Sequence, residues 1–265
     1  RGKGRVGASE GASSPLFGSD VSRPIAWRDG RVVQVAEFQR HVAAIAHALP
    51  PRGEMIDLCE DRYWFIASYA AALSRRHTVL LPPSRVEQVV REVEAANPES
   101  YRIDDAFIER ICREAGADSS EPSILQGAIA MVGYTSGSTG TPQPNPKRWR
   151  GLRASTALNA AMIRHAVNAA AEDVLWLVAT VPPQHMYGME LSVLLPLLDR
   201  MAVHAGRPLF PADIARALAD VPAPRVLIST PVHLRALVDS TQSFPDVAAV
   251  VSATAPLDQA LAEAV

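Results

Sequence analysis

Nine residues constrain this chain more than any others: Tyr134-Thr135-Ser136-Gly137-Ser138-Thr139-Gly140-Thr141-Pro142. They follow directly on an apolar run, Ala128-Ile129-Ala130-Met131-Val132, which reads as a buried strand. A strand that empties into hydroxyls and glycines can fold its backbone N–H groups around an anion, because glycine allows close backbone approach and positive φ. A flexible surface loop has the same composition, so the stretch alone leaves both readings open. The common phosphate-loop patterns do not fit. No G-x-x-x-x-G-K-[ST] passes through Gly133, Gly137 or Gly140, no G-x-G-x-x-G occurs, and Ser136 and Ser138 lack the flanking glycines of a nucleophile elbow.

The rest of the chain alternates between two periodicities. Pro24 to Val33 reads as a hairpin turning at Asp29-Gly30, and Val35 to Leu49 as a helix burying Phe38, Val42, Ile45, Ala46 and Leu49. Strands are expected at Met55–Cys59, Thr78–Leu81, Val174–Ala179, Met201–His204, Arg225–Ser229 and Val247–Ser252. Helices are expected at Arg62–Leu73, Arg85–Ala96, Gly151–Ala171, Glu190–Leu198, Ala212–Leu218 and His233–Val238. Such alternation predicts an α/β fold with a parallel or mixed sheet, whose ligands bind beyond the carboxyl ends of the strands.

Composition narrows the function. A net charge of −2 gives no overall pull toward nucleic acid or an anionic membrane, and no run of 18 apolar residues could span a bilayer. Cys59 and Cys112 stand apart, without a C-x-x-C, and fit a reducing cytoplasm rather than a disulfide framework. No H-E-x-x-H or H-x-x-x-H pair exists, so no metal site is expected. Residues 1–20 are rich in Gly and Ser and read as a disordered tail. Residues 257–265 read as a helix that has only begun, so the native chain is expected to continue.

Among the seven histidines, His185 has the most informative setting, Val181-Pro182-Pro183-Gln184-His185-Met186-Tyr187-Gly188. The prolines fix a turn after a strand, His185 is thrown out just before a helix, and Gly188 permits a close approach. A lone histidine is more often structural than catalytic, so this context is needed to single it out. The basic cluster Lys147-Arg148-Trp149-Arg150 either opens a solvated helix or neutralises phosphates.

Thr135 to Pro142 resembles, without a gap, the [ST]-S-G-[ST]-T-G-x-P-K loop of the adenylate-forming superfamily: acyl-CoA synthetases, adenylation domains and luciferases. Three further stretches are similar to family motifs, in family order. Pro182 or Pro183, His185 and Gly188 match P-x-x-H-x-x-G, Thr230-Pro231 opens a P-T-x-L-x-x-L-like segment, and Ser252 to Leu257 resembles S-G-G-A-P-L. The resemblance covers roughly residues 20–265. It implies the large N-terminal domain of such enzymes, with layered parallel or mixed sheets, truncated at its C-terminus, with 120–130 as a meeting point for two subdomains. Two departures stand out: Gln143 holds the place of the loop lysine, with Lys147 four residues on, and Thr254 replaces a glycine.

By that resemblance, Thr135, Ser136, Gly137, Ser138, Thr139, Gly140 and Lys147 hold the ATP phosphates. His185, Lys147 and Thr139 carry the chemistry. Tyr187, Gly188, Thr230, Thr254, Ala255 and Pro256 join His185 around the adenine and acyl group. The implied cofactors are ATP and Mg²⁺. The implied partners are an aryl or acyl carboxylic acid and coenzyme A or an acyl carrier protein. The Mg²⁺-binding glutamate, the ribose-binding aspartate and the small C-terminal domain with its lysine have no counterpart here, so residues 1–265 alone are expected to be inactive. The variant Pro-rich motifs are similar to those of aryl-polyene and xanthomonadin-type synthetases, implying a hydroxy-aryl or β-hydroxyacyl acid. The rival reading is a homologue that binds nucleotide or a carrier protein without catalysis, and Gln143 favours it.

Overall fold

The structure, a computed structural model, describes residues 13–17, 20–114, 123–125, 127–136 and 142–265. The chain opens with β1 (Ser13–Pro15), β2 (Pro24–Arg28) and β3 (Arg31–Gln34). The turn between β2 and β3 holds Asp29 at φ 52° and Gly30 at φ 75°, the double left-handed step of a tight hairpin. Helix α1 (Val35–Ala48) leads to β4 (Glu54–Asp57), α2 (Arg62–Ser74), β5 (Thr78–Leu81), α3 (Glu87–Ala96), β6 (Ser100–Ile103), α4 (Asp105–Glu114) and β7 (Ser123–Leu125). Then come β8 (Ile129–Ser136), β9 (Pro142–Arg148), α5 (Trp149–Ala166) and β10 (Leu175–Ala179). One continuous helical stretch follows, made of α6 (Met186–Gly188), a π-helical segment (Met189–Leu194) and α7 (Leu195–Leu198). The chain closes with β11 (Met201–His204), α8 (Pro211–Asp220), β12 (Arg225–Ser229), α9 (Pro231–Val238), β13 (Ala249–Ser252) and α10 (Gln259–Ala264).

Two mixed sheets dominate. The first runs β6-β4-β5-β8-β9 and is parallel except for β9; the second runs β13-β12-β10-β11-β2-β3 and is parallel except for β3. Helix α2 lies in the middle: every residue from Arg62 to Leu73 is buried, which is why its sequence is apolar all round rather than amphipathic. Asp61 caps it by accepting from Trp64 N–H at 3.0 Å. A continuous apolar core joins both sheets through α2, from Met55 and Val79 to Leu177, Met201 and Val226.

The α/β class and most element positions agree with the sequence reading. Several details differ. The turn at Gly137 to Thr141 lies outside the described residues, but its flanks do not form a long loop. They are strands, paired antiparallel from Ser136↔Pro142 back to Ile129↔Arg148. The three prolines of β9, at 142, 144 and 146, alternate along this outermost strand. They fall at the positions whose nitrogen points away from the ladder, leaving the N–H groups of Gln143, Asn145 and Lys147 for the partner strand. Disorder over residues 1–20 does not hold for residues 13–17: β1 pairs with β7, and Leu16 and Phe17 are buried in the core. β2, from the N-terminal part, pairs with β11 and so belongs to the second sheet.

Candidate functional site

The carboxyl ends of the two parallel strand sets face one another across a cavity of about 210 Å³. Its walls come from three places: Leu81, Pro82 and Pro83 beyond β5; Gly133, Tyr134, Thr135, Asn145 and Lys147 of the β8–β9 hairpin; and Gln184, His185 and Met186 beyond β10. Thr135, Lys147 and His185, far apart in sequence, thus meet at one place. Ser136 and Pro142 are the last described residues of the two hairpin strands, and the expected phosphate ligands Gly137, Ser138, Thr139 and Gly140 lie outside the described residues.

The hairpin register explains the displaced lysine. Gln143 pairs with Thr135 near the tip, and Lys147 pairs with Met131. The two side chains share a strand face but sit four residues apart, about 13 Å along the strand. Gln143 is exposed near the tip, whereas Lys147 is half-buried in the cavity wall beside His185. The prolines thus form a strand, and Lys147 stands at its base.

His185 occupies the N-cap position of α6 with extended backbone, and the residue is partly open to solvent. Partial burial, then the positive charges of Arg207 and Arg85, hold its pKa below the ordinary histidine value, which keeps the ring neutral near pH 7. Gly188 does permit a close approach, and the group that approaches is backbone. Its φ is −66°, open to any residue, but an added Cβ would lie 1.9 Å from the Pro182 carbonyl oxygen. It is the turn packing on itself, and not a ligand, that requires glycine here. Tyr187 is likewise committed: its hydroxyl lies 3.0 Å from the Ser229 carbonyl and 2.7 Å from that of Val251, bridging the ends of β12 and β13.

Thr230 sits at the N-cap of α9 but makes no side-chain bond to the helix backbone; its hydroxyl lies 3.1 Å from Nδ1 of His233, which is also 3.1 Å from the Thr180 hydroxyl. Thr254, Ala255 and Pro256 form an exposed turn beyond β13 and do not line the cavity. Thr254 adopts φ 77°, a strained left-handed state for a β-branched residue.

Three arginines were not legible as site residues. Arg62, fully buried, donates to the carbonyls of Ala179 at 3.0 Å and Val181 at 2.8 Å and to the Ser192 hydroxyl, clasping the chain on either side of Thr180. Burial lowers its pKa to about 9. Arg85 donates to the Cys59 carbonyl, and Arg207 is exposed. With Lys147 they make this end of the molecule receptive to anions. Among the described residues no group of three or more His, Cys, Asp or Glu side chains could hold a metal ion, and no helix is long and apolar enough to cross a membrane.

A family model described as AMP-binding enzyme matches residues 52–265. A 4-coumarate–CoA ligase of Rhodobacter capsulatus is 37% identical over 127 residues, covering 48% of this chain and 31% of the relative. Another, from Halorhodospira halophila, is 35% identical over 139 residues, 51% of this chain and again 31% of the relative. The matched stretch thus spans less than a third of either relative. Among solved structures, O-succinylbenzoate coenzyme A synthetase from Bacillus subtilis in complex with AMP superposes with a TM-score of 0.73 at 16% identity, over 96% of this chain and 71% of that one. The same protein with ATP and magnesium gives 0.74 at 17% identity, over 96% and 57%. At such identities these structures speak for the fold.

Proposed function

The chain belongs to the AMP-binding enzyme family, and from that premise we propose that it supplies the larger part of an enzyme that activates a carboxylic acid with ATP. The acid's carboxylate oxygen attacks the α-phosphorus, the bond to the bridging oxygen breaks, and pyrophosphate leaves with that electron pair. The acyl-adenylate then passes its acyl group to a thiol, of coenzyme A or a carrier protein's phosphopantetheine, and AMP departs. The curated relatives, named as 4-coumarate–CoA ligases, support an aryl acid and coenzyme A.

The observation that carries this reading is the meeting of Thr135, Lys147 and His185 around one cavity at the carboxyl ends of both sheets. The first step brings two anions together, so its barrier falls where fixed positive charge and hydrogen-bond donors face them. Lys147, at the base of the hairpin, would meet the reacting carboxylate and α-phosphate, while residues 137–141 would hold the rest of the triphosphate. Neutral His185 can donate to the acid without becoming an acceptor-only wall or a competing cation. Mg²⁺ would accompany ATP in this chemistry, held by the phosphate oxygens and water, since no group of three or more His, Cys, Asp or Glu among the described residues could cage it.

The test is acid-dependent ATP–pyrophosphate exchange by the full-length protein across a panel of aryl and fatty acids. Exchange with at least one acid is expected, and Lys147→Ala should lower it about a hundredfold with little change in thermal stability. ATP binding without exchange for any acid would replace this reading with the non-catalytic one that Gln143 favours.

A further inference from the structure

At the opposite, amino-terminal ends of β10 and β11 lies a second cavity of about 420 Å³. Its charged lining is three guanidinium groups, Arg23, Arg164 and Arg200, against one carboxylate, Asp199; Thr156 adds a hydroxyl already donated to the Leu152 carbonyl, and the apolar wall is Leu198 and four alanines, including Ala157 and Ala161 on α5. Two of the arginines have acidic partners: Arg164 pairs with Asp199, and Arg200 with Asp20 outside the cavity. Among the described residues Arg23 forms no ion pair, its nearest carboxylates being those that pair with Arg164 and Arg200. It is 5% exposed and donates to carbonyls alone, Pro196 at 3.0 Å and Leu197 at 3.2 Å. These carbonyls end the helical stretch that begins at His185, and they fix the guanidinium without cancelling its charge. Burial, followed by repulsion from Arg200, lowers its pKa to about 10, although the more distant Asp199 and Asp20 carboxylates act the other way. A buried charge normally has a counter-ion, and here the space for one is next to it.

We propose that this cavity binds a compact organic carboxylate, its head between Arg23 and Arg200 and its apolar body against the alanines of α5. A bare inorganic anion would leave the alanine wall without a partner, and an uncharged ligand would leave Arg23 uncompensated. The site is separate from the cleft, since it opens at the other ends of the same strands.

Titration calorimetry of the protein with 4-fluorobenzoate tests this. Binding is expected, with a component that Ala161→Trp, filling the cavity from an exposed position, weakens at least about tenfold. Arg200→Ala should weaken the same component about tenfold by removing one charged donor. Ala157→Trp fills the cavity from the neighbouring helical turn and replaces Ala161→Trp if that variant loses its circular dichroism signal. Binding that neither tryptophan alters, or no binding at millimolar ligand, overturns the site. Inorganic phosphate is the second titrant: displacement of 4-fluorobenzoate by an equal concentration of phosphate would show that charge alone is recognised and would overturn the organic-acid assignment. Lys147→Ala lies in the cleft and should leave this component intact, so a failure here is distinct from a failure of acid activation.

Discussion

The two walls of the cleft are built in opposite ways. The wall beyond β10 is locked by side chains: Arg62 clasps the Ala179 and Val181 carbonyls, Gly188 packs on Pro182, and Tyr187 ties the ends of β12 and β13. The hairpin wall is held by its backbone ladder, with Gln143, Pro144, Asn145 and Pro146 all exposed. One wall is a fixed floor that sets where His185 stands. The other is a ribbon that turns exposed side chains outward. In this molecule, rigidity and charge delivery are assigned to different sheets.

That contrast can be broken most directly at Gly188. Gly188→Ala forces a Cβ against the Pro182 carbonyl and should destabilise the fold by about 3 kcal/mol or more, read as a lowered urea midpoint. Asn145→Ala on the hairpin should stay within about 0.5 kcal/mol in the same measurement. Equal effects at the two positions would erase the distinction. Tyr187→Phe should cost about 1–2 kcal/mol, because a carbonyl at the end of β12 or β13 loses its donor. The turn beyond β13 gives a change of the other sign. Thr254→Gly relieves left-handed strain of about 1–3 kcal/mol against a glycine entropy cost of about 0.5–1 kcal/mol, so a net stabilisation near 1 kcal/mol is expected by chemical denaturation. The smallest effect concerns His185. Arg207→Gln removes one of the cations that disfavour its protonated form, so its titration, followed by NMR, should move to higher pH. A downward or absent movement would remove Arg207 from the electrostatics of the cleft.

Much of this was visible in the residues. The apolar runs at Thr78–Leu81, Met201–His204 and Arg225–Ser229 are strands with those bounds, and Asp29-Gly30 is the hairpin turn its chemistry demands. The ordered motifs pointed to Thr135, Lys147 and His185 together. What could not be read depended on neighbours remote in sequence. Prolines at every second position normally argue against a strand; β9 tolerates them because it is outermost, which only the strand order reveals. Gly188 signalled a close approach, but that the approaching group is the Pro182 carbonyl shows only once the turn is folded. Arg62 stands in a helix whose sequence gives no sign that its charge lies at zero exposure between two sheets.

The comb of imide nitrogens at 142, 144 and 146 has a last consequence. A sheet that ends in such a strand has no donors at alternate outward positions, so a further polypeptide cannot zip onto it in register. The ribbon beside the cleft is thereby reserved for small molecules and for partners that dock through side chains, and the molecule is protected there from growing, copy by copy, into a fibre.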